Sequence, residues 1–102
     1  MKLAWTEPSV HDLENIRDFI AKDSEYYAAR FVTRIVEAVE TLPSHPRIGR
    51  VVPEADDDTI RELLFQNYRI MYRAEPECIL ILTVLHGSRD LTRFEPKPWD
   101  VL

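Results

Sequence analysis

RELLFQNYRIMYRAEPECILILTVLHGSRD, residues 61–90, decides how the rest of the chain is arranged. It holds three apolar runs parted by two turn-like breaks, Gln66–Asn67 and Ala74–Glu77. Short bounded runs rich in β-branched and aromatic residues read as strands. The stretch therefore predicts a three-stranded meander over residues 60–65, 68–73 and 78–86. Cys78 to His86 is apolar throughout, which marks it as the central strand, covered on both faces. Arginines at 61, 69, 73 and 89 punctuate the meander, and its last strand empties into the polar cluster His86, Gly87, Ser88, Arg89 and Asp90.

Upstream, residues 2–5 alternate polar and apolar and stop at Thr6, Glu7 and Pro8, as a short strand does. Ser9 stands where an N-cap belongs, with Asp12 three residues on in a capping-box arrangement. Val10, Leu13, Ile16, Phe19 and Ile20 then recur at helical spacing, with Asp12, Glu14, Asn15, Arg17 and Asp18 between them. After Asp23 and Ser24 a second series follows, Tyr27, Phe31, Ile35, Val39 and Leu42, ended by Pro43 because proline lacks the amide hydrogen a helix interior needs. Helices over 9–22 and 25–42 with so short a link form an antiparallel hairpin, and Arg30, Arg34, Glu37 and Glu40 make its solvated face.

Residues 43–59 read PSHPRIGRVVPEADDDT, with three prolines, one of two glycines and three consecutive aspartates. A connection that long is often functional, and Gly49 suggests a bend that a β-carbon would obstruct. The ending LTRFEPKPWDVL is irregular, with Phe94 and Trp99 as anchors onto the body. The order is β-α-α-β-β-β, an α+β fold with a mainly antiparallel sheet and the αα hairpin packed on one face.

With 102 residues and 45% apolar content, the chain reads as one domain, 1–102, with one modest core. The net charge of −5 argues against general electrostatic binding of nucleic acid. The acid is uneven: residues 1–60 carry 12 acidic and 7 basic side chains, residues 61–102 six of each. The single cysteine, Cys78, cannot form an internal disulfide and reads as a buried thiol in a reducing, cytoplasmic setting. Histidines at 11, 45 and 86 show no zinc-ligand spacing, so no metal or cofactor is expected. Neither a signal pattern nor a membrane-spanning run is visible.

The runs HPRIGRVVPE (45–54), IRELLFQNYRIMYR (60–73) and ILTVLHGSRDL (81–91) together resemble the RelE/ParE superfamily of toxins from bacterial type II toxin–antitoxin modules. Their details are nearer the ParE-like branch, often labelled plasmid stabilisation proteins. The resemblance implies a growth-inhibiting toxin held inactive by a cognate antitoxin, with operator DNA bound only through the complex. In the family, ParE-like members act on DNA gyrase and RelE-like members cut messenger RNA in the ribosomal A site. The antitoxin contacts implied here are Phe19, Tyr27, Phe31, Arg69 and Arg89.

Cleaving RNA through its own 2′-hydroxyl needs a base, an acid and charge to stabilise the phosphorane. Arg61, Arg69 and Arg89 could supply the charge if the strands bring them to one sheet face, and His86 could serve as acid or base. By the resemblance, Arg69 matches the arginine that RelE-like enzymes set on the phosphate, and Arg89 a second. The lysine pair those enzymes carry on the first meander strand is absent, since Arg61 and Glu62 stand there, and Phe94 and Glu95 stand where a tyrosine is expected. For these residues the plainer roles are a strand end at His86, a local Arg89–Asp90 salt bridge, and core positions for Tyr68 and Tyr72. Three readings stay open: a gyrase inhibitor acting by binding, a ribosome-dependent endoribonuclease, and a member that keeps the fold without toxicity.

Overall fold

Proline and cap residues cut this chain into its elements, and hydrophobic phase decides what each buries. The computed structural model describes residues 1–100; Val101 and Leu102 of the irregular ending lie outside them. The elements are β1 (Lys2–Trp5), α1 (Glu7–Ala21), α2 (Glu25–Glu40), β2 (Arg50–Val51), β3 (Ile60–Phe65), β4 (Tyr68–Ala74) and β5 (Cys78–His86), followed by 3₁₀ turns at Leu91–Arg93 and Pro98–Asp100. One five-stranded sheet has the order β1-β5-β4-β3-β2. It is antiparallel except for β1, which runs parallel to β5.

The expected order holds, with one strand more than the sequence suggests. Arg50 and Val51, inside the long connection, pair with Glu62 and Arg61 as edge strand β2. Two residues between prolines give no periodicity to read. The strand at the middle of the sheet is β4, whereas β5 lies one place off centre between β1 and β4. Its apolar run still has both edges paired along its first half.

α1 begins two residues earlier than predicted. Thr6, not Ser9, is the N-cap: its hydroxyl oxygen accepts from the Ser9 amide at 3.2 Å, and Pro8 sits in the first turn where its missing amide costs nothing. Ser9 is buried and donates back to the Thr6 carbonyl at 2.7 Å. Asp12, relieved of capping, accepts from the Thr83 hydroxyl and the Val84 amide, which pins α1 to β5. α2 is capped by Ser24, whose hydroxyl oxygen accepts from the Tyr27 amide at 3.2 Å.

Two apolar clusters form, one on each face of the sheet, rather than a single core. On the helical face Phe31, Ile35, Val39 and Leu42 pack on Ile70, Tyr72, Ile79, Ile81 and Val84. On the other face Val52, Ile60, Met71, Leu82, Leu85 and Leu91 gather, with Phe94 and Trp99 packed against them as the sequence suggests. The connection and the C-terminal ending therefore do for the second face what the helices do for the first. Cys78 is only partly buried, near the start of β5, so it is not the enclosed thiol expected. Among the described residues, no helix is long and apolar enough to cross a membrane.

Candidate functional site

The four residues expected to form a site do not converge. Residues opposite each other in an antiparallel pair project to the same face. Arg61 lies opposite Tyr72, on the helical face, whereas Arg69 lies opposite Leu64, on the other. Both numbers are odd, but the β3–β4 hairpin pairs odd with even positions, so equal parity puts them on opposite sides. His86 lies opposite Tyr68 and shares Arg61's face, yet about four residues away along the strands, on the order of 13 Å.

Arg69 is the centre of a mostly buried charge network. Its Nε donates to Glu62 Oε1 at 2.6 Å, and Nη1 and Nη2 donate to the two oxygens of Glu54 at 3.0 and 2.8 Å. Glu62 in turn accepts from Arg50 Nε at 2.6 Å. The Glu62 side chain has no exposure and that of Arg69 only 10%. Glu54 fills the Nη1–Nη2 fork and Glu62 takes the Nε hydrogen, so three of the guanidinium's five N–H groups are engaged by carboxylates. The Arg69 hydrogen bond holds the Glu54 carboxyl below the usual carboxylate range, against some desolvation. Glu54 likewise pushes the Arg69 guanidinium further up, so it stays charged throughout.

Arg61 is equally committed. Its Nε donates to the Asp58 carbonyl at 3.0 Å and its Nη1 to the Gly49 carbonyl at 2.9 Å. Tyr72, buried on the same face, accepts from the Gly49 amide at 3.0 Å and donates to the Pro46 carbonyl at 2.8 Å. Burial pushes its phenol pKa up. A β-carbon at Gly49 would lie 2.6 Å from Tyr72 Oη and 2.7 Å from the Glu62 carbonyl, so the bend expected there is a close approach of chains. The connection is thus fastened from both faces: by Tyr72 and Arg61 on one, and by the Arg50–Glu62 and Glu54–Arg69 pairs on the other.

His86 ends β5 as a loop former. Its Nδ1 accepts from the Ser88 amide at 3.1 Å and meets the Ser88 hydroxyl at 2.7 Å, while its ring sits edge-on to Tyr68 at 5.3 Å. Arg89 is exposed and stacks on the Phe94 ring at 4.8 Å. The salt bridge expected between Arg89 and Asp90 does not form: Asp90 caps the first 3₁₀ turn through the Thr92 amide at 3.0 Å and pairs with Arg93 at 3.7 Å. Tyr68 and Tyr72 take the core positions expected, Tyr72 fully buried and Tyr68 partly so against Phe31 at 5.2 Å.

Of the residues assigned to antitoxin contact, Phe19 and Tyr27 are 66% and 65% exposed, but Phe31 is 8% exposed, packed edge-on to Phe65 and Tyr68. Phe31 and Arg69 therefore present little surface to a partner. The buried stripe of α2 is Ala28, Phe31, Ile35 and Val39, a phase that leaves Tyr26 beside Tyr27 in solvent with their rings 5.6 Å apart. Sequence reading missed Tyr26; Ala28, the small residue that starts the stripe, was the signal that fixes the phase. Among the described residues, no three His, Cys, Asp or Glu side chains gather as a metal site.

A family model described as the ParE toxin of the type II toxin–antitoxin system parDE matches residues 3–91. The toxin-like protein Y4kP of Sinorhizobium fredii is 38% identical over 90 residues, covering 86% of this chain and 90% of its own. Toxin RelE2 of Caulobacter vibrioides is 30% identical over 89 residues, covering 86% and 97%. Among solved structures, the chromosomal ParDE toxin–antitoxin system of Pseudomonas aeruginosa superposes with a TM-score of 0.70 at 26% identity, over 84% of this chain and 95% of that one. The RelBE2 toxin–antitoxin complex of Mycobacterium tuberculosis shares the fold, with a TM-score of 0.63 at 20% identity over 83% and 95%.

Proposed function

This chain belongs to the ParE toxin family of type II toxin–antitoxin systems, and from that premise we propose that it arrests growth by binding DNA gyrase, with no bond-breaking step of its own. It is the toxin of such a module, with a cognate antitoxin as partner. The gyrase target follows the ParE-like resemblance of residues 45–91.

One observation carries the choice against RNA cleavage: the Arg69 guanidinium is engaged by Glu62 at Nε and by Glu54 across its Nη1–Nη2 fork. A phosphate would have to displace a bidentate carboxylate to reach it. Arg61 is spent on backbone carbonyls on the opposite face, and His86 is turned to Ser88. The net charge of −5 adds repulsion toward a phosphate-lined ribosomal site. The 30% identity to a toxin named RelE2 keeps the ribonuclease as a second reading.

The Phe19, Tyr26 and Tyr27 side chains, exposed on the helical hairpin, supply apolar area for the antitoxin. Induction of the chain without its antitoxin tests the reading. Double-strand breaks in chromosomal DNA with intact messages are expected; messages cut at codon boundaries by primer extension would overturn it.

A further inference from the structure

The backbone on either side of Ile48 is held by groups distant in sequence. Tyr72 Oη donates to the Pro46 carbonyl at 2.8 Å and accepts from the Gly49 amide at 3.0 Å, and Arg61 Nη1 donates to the Gly49 carbonyl at 2.9 Å. The Ile48 amide donates to the His45 carbonyl at 3.1 Å. A segment tied at these points has little backbone freedom, yet the Ile48 side chain is 62% exposed. Val52, four residues on, is fully buried in the second cluster, so the same connection does turn apolar residues inward. Ile48 is an apolar knob on a fixed mount.

Beside it a cleft of about 790 Å³ opens between the connection, at His45–Ile48, and the β4–β5 turn, at Ala74–Pro76, with Met1 and Thr59 completing the lining. The lining is largely apolar. Its two walls carry opposite charges. Arg47, beside Ile48, has its ion pair with the exposed Asp58 at 3.6 Å, a contact too open to water to hold it firmly. Glu75, on the turn, is exposed and has no ion pair among the described residues, so it does not pair with Arg47 within the chain.

This patch lies at the end of the sheet away from the hairpin tip. β5 runs from Cys78, just past the turn that lines the cleft, to His86, nine residues or on the order of 26 Å. Phe19 lies by His86, and Phe31 packs on Tyr68 opposite His86, with Tyr26 and Tyr27 in the helical turn before it.

Knob, cleft and both charges thus share one surface, as an isologous twofold contact requires: residue i of one copy meets residue j of the other, and j meets i. We infer that this patch is the contact between two copies of the chain. Ile48 of each copy enters the cleft of the other, and Arg47 of each meets the partner's Glu75, so the twofold forms every pair twice. Because the ridge is fixed before contact, association orders little backbone. The hairpin tip stays free in the pair, so the inference goes beyond the toxin reading and holds whichever target the toxin has.

Sedimentation velocity of the antitoxin-free chain over a concentration series tests it. A reversible monomer–dimer equilibrium is expected, reaching twice the chain mass. I48D is expected to weaken dimerisation tenfold or more. R47E and E75R each set like charges against one another twice and are expected to weaken it at least tenfold. The R47E/E75R double variant restores opposite signs and is expected to return to within about threefold of the native chain. All three positions are exposed, so each variant keeps the native circular dichroism spectrum. The mass of a single chain at every concentration would overturn the inference and leave the patch to a different protein. A dimer indifferent to I48D, or a double charge variant no stronger than either single one, would overturn it equally.

Discussion

Substitution of Glu62 tests how the buried charge network holds the second face. Its carboxylate has no exposure and sits 2.6 Å from both Arg50 Nε and Arg69 Nε. Glu62→Ala leaves the buried Arg69 with Glu54 alone and releases Arg50 from β3. Removing one partner of a buried pair costs about 3–5 kcal/mol, because the charge that remains has lost its compensation. For a domain of this size 1 kcal/mol moves Tm by roughly 4–8 °C, so a loss of at least about 12 °C is expected. The double variant Glu62→Leu with Arg69→Met removes both charges and restores apolar packing beside Met71 and Leu85. Such replacements are often neutral, and most of the lost stability is expected to return. Urea denaturation of the chain without antitoxin, followed by circular dichroism, reads both effects. A loss under about 1 kcal/mol for Glu62→Ala, or a double variant weaker than the single, would refute the reasoning.

Gly49→Ala forces a methyl group to within 2.6 Å of Tyr72 Oη and 2.7 Å of the Glu62 carbonyl, and is expected to cost about 1–3 kcal/mol by the same denaturation assay. Glu54 has its pKa lowered in the folded chain by Arg69, so its contribution is present above the ordinary carboxylate range and is lost as pH falls through the folded value. Glu54→Gln is therefore expected to flatten the loss of stability on acidification below about pH 4, measured by melting temperature across pH. Replacing Tyr26 and Tyr27 together with Ser is expected to leave stability within about 0.5 kcal/mol, since both are exposed, and to raise the solubility of the antitoxin-free chain, measured by light scattering.

The element order was legible because each boundary carries a chemical mark: Pro8 and Pro43 at helix ends, Gln66–Asn67 and Pro76 between strands. Helical periodicity likewise gave the hairpin. What escaped was phase and pairing. That Arg61 and Arg69 fall on opposite faces depends on which residues the hairpin sets opposite each other, which the Gln66–Asn67 turn fixes with Gln66 at a φ of 52°. The sequence reading starts the α2 stripe at Tyr27 although Ala28 begins it, which hides Tyr26; Phe31 is buried in that stripe as the spacing predicts, and its antitoxin role comes from the resemblance alone. β2 and the second apolar cluster were illegible for another reason. They are built from irregular chain fastened by side chains distant in sequence, Tyr72 to Pro46 and Arg69 to Glu54, and no local pattern records such contacts.

For the toxin itself, the deciding measurement is the supercoiling of relaxed plasmid by purified DNA gyrase as the purified chain is titrated in. The account predicts inhibition that saturates with toxin, is reversed by stoichiometric antitoxin, and leaves RNA on translating ribosomes uncut. Supercoiling that proceeds unchanged at saturating toxin, with messages cut on the ribosome, would contradict it.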